Sequence, residues 1–329
     1  MDDEVAPLSR VGAILRAAAR RTASVGVSAA GAAGLVVLLF VAVPGDAIDA
    51  LANGPELRAQ LEAEWGLGGG PLARLGHAVS RVVRLDLGSS LTFRPGAPVA
   101  GLATDAMGTS ATLLLPALGV GLAAGYLLAV LAPVGQGGVR RAAARAAVAL
   151  TAPPVVLLGL AVVLGLNALT WSALERGLIV RPAWFALPEE PGVVRSALAT
   201  AVLAFGSAQL GRLTGAARRE WATLDAAGFM LVARAHDLPL GALRLRHLLA
   251  PTARLAAAQV PTLASALIVV ERGFAIPGAG SMFWEACRLR DWPLALGLTL
   301  GAAAVTAGAT LAAQLVAVVV DPRERREDA

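Results

Sequence analysis

Lysine is missing altogether from this 329-residue chain: all 28 of its basic residues are arginine. A phosphate-binding loop of the GxxxxGK[ST] type needs a lysine on the nucleotide phosphates, so the chain cannot supply that kind of ATPase itself. Cysteine is almost as scarce. Cys287 stands alone, which excludes an intramolecular disulfide and any cysteine-based metal site within one chain, and leaves it as a packing residue. Aromatics make up 4% and charged residues 16% of a chain that is 57% hydrophobic, with a mean hydropathy of +0.68. That lies outside the make-up of a soluble globular domain. The apolar content is Ala, Val, Leu and Gly, which suits close helix packing in lipid. The net charge of +5 would suggest nucleic acid in a soluble protein. In a membrane protein arginine marks cytoplasmic helix ends, so the expected surroundings are membrane lipid and no nucleic acid. His77, His236 and His247 share no metal-ligand spacing, so no metal is expected. No nucleophile stands with a base and an orienting acid at membrane depth, which disfavours an intramembrane enzyme.

What the chain does have is long uncharged runs. A helix needs about 20 apolar residues to cross a hydrocarbon core, and six stretches are candidates: residues 24–43, 110–133, 146–169, 195–213, 254–275 and 293–320. The fourth and fifth have shorter uncharged runs, bounded by Arg195 and Arg212 and by Arg254 and Glu271, and need snorkelling ends. The fold class expected is therefore an all-α polytopic membrane protein of about six transmembrane helices. The first stretch follows Arg10, Arg16, Arg20 and Arg21 and reads as a retained signal anchor. Six spans put both ends on one side. With residues 1–23 and the tail 321–329 cytoplasmic, 17 of the 28 arginines fall inside, in line with the positive-inside rule. Residues 44–109 then form a long extracytoplasmic segment, with a short amphipathic helix at Glu56 to Glu64 and a turn at Gly68-Gly69-Gly70. Residues 110–320 form a five-helix core.

Within that core, Gly121 and Gly125, and Gly297 and Gly301, have the spacing that lets helix backbones approach, a common packing signal. Pro153 and Pro154 fall inside the third span and should interrupt its hydrogen-bond ladder, as a hinge or only as a bend. Glu271, at the outer end of the fifth span, is either a pathway charge or one paired with a residue elsewhere than its neighbour Arg272. The cytoplasmic loop 214–252 carries Arg218, Arg219, Arg234, Arg244 and Arg246 beside Leu231, Leu238, Leu243 and Leu245. These offer hydrogen-bond donors for carboxylates, and apolar contacts, to a soluble partner, or else topogenic charge facing anionic lipid.

Several short motifs stand in a recognisable order. Pro44-Gly45-Asp46 follows the first span, then the segment LRAQLEAEWGL from Leu57 to Leu67, then Leu85-Asp86-Leu87-Gly88-Ser89-Ser90-Leu91. Thr151 to Gly159 reads TAPPVVLLG, Phe229 to Leu238 reads FMLVARAHDL, and this continues into Arg246-His247 and Pro251. Val270 to Gly280 reads VERGFAIPGAG, then Arg290-Asp291-Trp292-Pro293, and Asp321-Pro322-Arg323 closes the chain. In these motifs, over roughly residues 10–325, the sequence resembles the dipeptide/oligopeptide/nickel permease family of ABC importers, in particular the subunit with a long external segment after its first helix.

The resemblance implies a type I ABC importer permease fold and one half of a translocation pathway in a prokaryotic inner membrane, with peptide as the default cargo. It implies four kinds of neighbour: a second homologous permease subunit, two ABC ATPase subunits, an extracytoplasmic substrate-binding protein and membrane lipid. ATP and magnesium would be bound by the ATPase subunits, leaving this chain without catalysis or cofactor. Ala233, Arg234, Ala235, His236, Asp237, Leu238, Arg244, Arg246 and His247 would form the loop that couples to the ATPases. Pro153, Pro154, Glu271, Phe274, Pro277, Gly278, Gly280, Asp291 and Pro293 would be gating or structural signature positions. The turn Pro277-Gly278-Ala279-Gly280 would lie near substrate delivery. Two departures bear on coupling: His236-Asp237 replaces the family's Lys-Gly, and Arg212-Leu213-Thr214-Gly215 replaces its RLTR. Asp can adopt the left-handed turn conformation that Gly adopts freely. The alternative function is a permease-derived membrane protein without coupled transport, an assembly or sensory component.

Overall fold

The structure is a computed structural model and describes residues 86–131, 154–178, 192–206 and 209–320, with isolated positions between 23 and 84 and at 138 and 145. Eight helices make up most of these residues: α1 Val99–Leu131, α2 Val155–Glu175, α3 Val193–Phe205, α4 Gln209–Asp225, α5 Gly228–Ala235, α6 Leu240–Gly273, α7 Ala279–Arg288 and α8 Trp292–Val320. Among the described residues the β structure is limited to one isolated antiparallel bridge between Ser89 and Pro98. Helices α1, α2, α6 and α8 are long and apolar enough to cross a membrane, and α3 with α4, bent by 55°, add a fifth if the pair is one span. The chain is an all-α polytopic membrane protein. The first expected span is helical at its described positions between 26 and 38. Most of residues 39–85 lie outside the described residues, including Pro44-Gly45-Asp46 and the segment 57–67. So do Pro153, residues 1–22 and the tail 321–329.

Two expectations are corrected by the element boundaries. The stretch 195–213 is not one straight helix: α3 ends at Phe205 and a new axis begins at Gln209. The stretch 214–252 is not a loop, because the end of α4, all of α5 and the start of α6 occupy it. The reason is length. Helix α6 has 34 residues, which at about 1.5 Å per residue spans about 50 Å, against a hydrocarbon core of about 30 Å. Its first turns, rich in the helix formers Leu, Ala and Arg, are the expected loop. Pro154 precedes the first residue of α2, in an extended conformation with φ −53° and ψ 144°, while Pro153 and the start of the expected third span lie outside the described residues. Proline is well placed there because the N–H groups of a first turn have no partner within the helix.

The chain divides into two compact units. One is formed by Thr112–Ile276 with the chain ends Met1–Ala23 and Thr306–Ala329, the other by Ser24–Ala111 and Pro277–Val305. In the first, Leu113 and Ala117 of α1, Val155 of α2, Leu203 of α3 and Leu263, Leu267 and Val270 of α6 form the buried core. The glycine spacing of α1 is used here. A Cβ on Gly125 would lie 2.8 Å from the Leu213 Cβ and 3.3 Å from the Leu213 carbonyl carbon and the Thr214 nitrogen, so the α1 and α4 backbones are close because no side chain separates them.

The second unit has a core of smaller residues: Val99, Leu102, Ala103 and Ala106 of α1, Ala286 of α7, and Leu294, Ala295 and Leu298 of α8. Here a Cβ on Gly297 would fall 2.5 Å from a Val99 methyl, and one on Gly301 2.6 Å from the Met107 methyl. Both glycine pairs, read in the sequence as a generic signal, sit at real close approaches.

Candidate functional site

The motif-bearing residues gather in two places, one in each unit. In the first, α4, α5 and α6 meet around a small apolar centre of Leu224, Met230 and Leu248, with Tyr126, Trp221, Phe229 and Leu240 packed against it. Met230 is fully buried, and it fixes α5 by one face. Ala233, three residues on, is buried on that same face, while Leu231, Val232, Arg234 and Ala235 are exposed. The Phe229 ring sits against the His247 ring with centroids 4.5 Å apart. The Tyr126 and Thr252 hydroxyls are hydrogen-bonded at 2.6 Å, tying α1 to α6.

Charge adds a second layer. Asp225, the last residue of α4, accepts on one carboxylate oxygen from Arg244 Nη2 at 2.8 Å and Arg234 Nη2 at 3.4 Å. The Arg244 guanidinium also lies over the Trp221 ring, 5.0 Å from its centroid. Arg234 and Arg244, expected to face a partner, are therefore held by this chain's own carboxylate. Of the expected coupling residues, His236, Asp237, Leu238, Arg246 and His247 remain exposed. The turn after α5 closes with Leu238 N–H donating to the Ala233 carbonyl at 3.0 Å, and Asp237 takes φ +49°. This is the left-handed residue that such a helix end requires. Asp fills it in place of Gly, so the departure at 237 leaves the backbone turn in place.

The second gathering surrounds Asp291, which is completely buried. Four donors converge on its Oδ2: Ser90 Oγ at 2.5 Å, Leu91 N–H at 3.0 Å, and Thr92 and Phe93 N–H at 3.1 Å. Its Oδ1 accepts from Leu294 N–H at 3.2 Å, and its carbonyl accepts from Ala295 N–H at 3.0 Å. Asp291 is thus the N-cap of α8, and the partial positive charge of that helix end favours a carboxylate there. Pro293 falls in the first turn, where its missing N–H costs nothing.

The partner segment is shaped to reach it. Asp86 Oδ1 accepts from Gly88 N–H at 3.0 Å, Gly88 and Gly96 take φ of +63° and +80°, and Ser90 N–H donates to the Ala97 carbonyl at 2.8 Å. Thr92 Oγ1 donates to the Leu289 carbonyl at 2.9 Å. Two motifs about 200 residues apart therefore form one knot.

The remaining signature residues are placed as follows. Glu271 and Phe274 are buried at the end of α6, and Glu271 interacts with its surroundings. Helix α6 ends with Ala275 at φ +50° and Ile276 N–H donating to the Glu271 carbonyl at 2.8 Å. Pro277 and Gly278 make the turn, whereas Ala279 and Gly280 already belong to α7, where Ala279 N–H donates to Ser110 Oγ at 2.7 Å. Sequence reasoning missed Asp225, Trp221 and Ser110, and had Ser90 only as part of a motif. For Asp225 a signal was available: between Glu220 and Asp237 it is the one acidic residue among the arginines of that segment.

No family model matches the chain. A stretch of 79 residues, 24% of the chain, is 30% identical to the oligopeptide transport system permease protein AppB of Bacillus subtilis (strain 168) and covers 25% of that protein's length. The likeness thus reaches about a quarter of each chain, and it is to a transport permease.

Proposed function

We propose that this protein is the permease subunit of a binding-protein-dependent ABC importer, forming half of the path by which peptides or a similar small solute cross a prokaryotic inner membrane. The observation that carries the proposal is the identity with an oligopeptide permease, on a chain whose described helices are long and apolar enough for four or five crossings. The surface formed by α5 and the start of α6 supports it. Leu231, Val232, Leu238, Leu245 and Leu249 are all exposed there beside Arg246 and His247, and an apolar strip rimmed by hydrogen-bonding side chains fits a folded soluble partner. That partner is a pair of ABC ATPase subunits, which bind the ATP and magnesium. This chain holds neither and catalyses nothing itself. A second homologous permease completes the pathway and an extracytoplasmic binding protein delivers the solute. Nucleotide binding and hydrolysis would then bias two arrangements of the same helices.

The test is purification of the chain in mild detergent, with identification and counting of whatever accompanies it. A second permease and two ATPase copies are expected. Their absence would favour the permease-derived protein without coupled transport. Orientation, with both termini cytoplasmic, is checked at Cys287, the one cysteine of the chain, which is exposed on α7. A membrane-impermeant maleimide should label it from the extracytoplasmic side of intact cells. Partial desolvation of the sulfur pushes this thiol above its usual range, so little thiolate is present at neutrality and labelling should quicken as pH rises. Labelling only after the membrane is opened would reverse the topology.

A further inference from the structure

The arginines of the α4–α6 surface do not all face outward, and the reason is a single residue. We infer that Asp225 is a positioning residue: it clamps Arg234 of α5 and Arg244 of α6 so that α5 and the turn after it present an apolar edge, Leu231, Val232 and Leu238, as the surface an ATPase subunit grips. This rests on the importer function proposed above and specifies how its coupling surface is built.

The geometry supports a brace more than a contact. Asp225 uses one oxygen for both guanidiniums, at 2.8 Å and 3.4 Å. The shorter bond goes to the more enclosed arginine, with Arg244 at 25% side-chain exposure against 45% for Arg234. Arg244 is further fixed by lying on the Trp221 ring, and Trp221 packs against the same centre that holds Met230. The clamp therefore joins the last turn of α4 to both following helices, while Met230 and Ala233 fix the rotation of α5. With Arg234 and Arg244 occupied, what α5 offers outward is mainly apolar. An ion pair this exposed adds little to stability. Its consequence is orientation: without it, two long arginine side chains and the turn between α5 and α6 have many arrangements, and a partner has to select one.

The sign of one substitution separates brace from contact. If Arg234 and Arg244 were the groups an ATPase carboxylate grips, Asp225 would be their competitor, and Asp225→Asn would strengthen ATPase retention. If Asp225 is a brace, the same change weakens it. The experiment purifies the full assembly in mild detergent and follows ATPase retention through a salt titration, beside the thermal midpoint of the chain. For Asp225→Asn the expected result is about fivefold weaker retention, the scale of one partly exposed ion pair. The midpoint should stay within a few degrees, and the retention curve should flatten with salt because the screened pair is gone.

Two exposed positions give an independent reading that does not depend on Asp225 folding well. Leu231→Ser should reduce retention more than Arg234→Gln. Retention that rises or holds in Asp225→Asn, or Arg234→Gln acting more strongly than Leu231→Ser, overturns the brace while leaving the importer intact. Failure of the unmodified chain to retain any ATPase overturns both.

Discussion

Two aspartates organise the motif-bearing parts of this chain, and they do so by opposite means. Asp291, fully buried, is satisfied by backbone N–H groups and one serine hydroxyl. Asp225, about a third exposed, is satisfied by two guanidiniums. The difference follows from desolvation. A buried ion pair must remove two charges from water, whereas fixed dipoles satisfy a lone carboxylate without a second ion. At the surface that cost is small and arginine reaches further than any backbone amide. The consequence is mechanical. Donors belonging to the backbone of residues 91–93 cannot be exchanged without unfolding the segment, while an exposed arginine can change partners freely. One region is built to stay fixed and the other can be rearranged by a neighbour.

The largest effect should come from breaking the fixed region. Asp291→Ala leaves Ser90 and the N–H groups of Leu91, Thr92, Phe93 and Leu294 without their acceptor. A single buried donor left unsatisfied costs about 1–3 kcal/mol, and because these act as one network the joint loss should exceed about 3 kcal/mol. The expected outcome is a chain that accumulates poorly and melts well below the unmodified protein in detergent. Ser90→Ala removes only one donor and should cost about 1 kcal/mol. Equal effects from the two would mean that the backbone donors contribute little and that the hydroxyl alone matters.

Much of the fold could be read in the sequence, because uncharged runs in lipid have few alternatives to helix. What the sequence concealed were places where a local feature has two physical outcomes. A charged stretch between apolar runs can be a loop or the continuation of a helix beyond the membrane, and only packing of Met230, Leu224 and Leu248 decides for helix. An arginine can face a partner or its own chain, and for Arg234 and Arg244 the decision lay with Asp225. The motifs at 85–91 and 290–293 were visible separately. That they bind each other was not, since nothing local couples residues about 200 positions apart.

A second and smaller contrast concerns how close the helices come. At Gly125 an added methyl would meet backbone atoms of Leu213 and Thr214 at 3.3 Å as well as the Leu213 Cβ at 2.8 Å. At Gly301 it would meet only the flexible end of Met107, at 2.6 Å. Overpacking of this kind costs about 1–3 kcal/mol when the backbone must move, and much less when a methionine can turn aside. Gly125→Ala should therefore lower the thermal midpoint in detergent clearly, and Gly301→Ala only slightly. The reverse order would place the tighter helix contact in the unit containing α7.

The smallest effects should come from the helix ends, and they bear most directly on Asp237, in the turn of the proposed partner surface. Asp237 and Ala275 both occupy left-handed positions, at φ +49° and +50°, where a side chain costs roughly 1–2 kcal/mol for most residues. Glycine relieves that strain but loses about 0.5–1 kcal/mol through its freedom in the unfolded chain. Ala275→Gly should then gain a few tenths of a kcal/mol up to about 1. Asp237→Gly should gain less, because Asp tolerates the left-handed region better than Ala. ATPase retention should be unaffected by Asp237→Gly, since the turn it would restore is already formed by the Leu238-to-Ala233 hydrogen bond. A marked increase in retention on restoring glycine would mean that the aspartate side chain itself, and not the shape of the backbone, weakens the partner's grip.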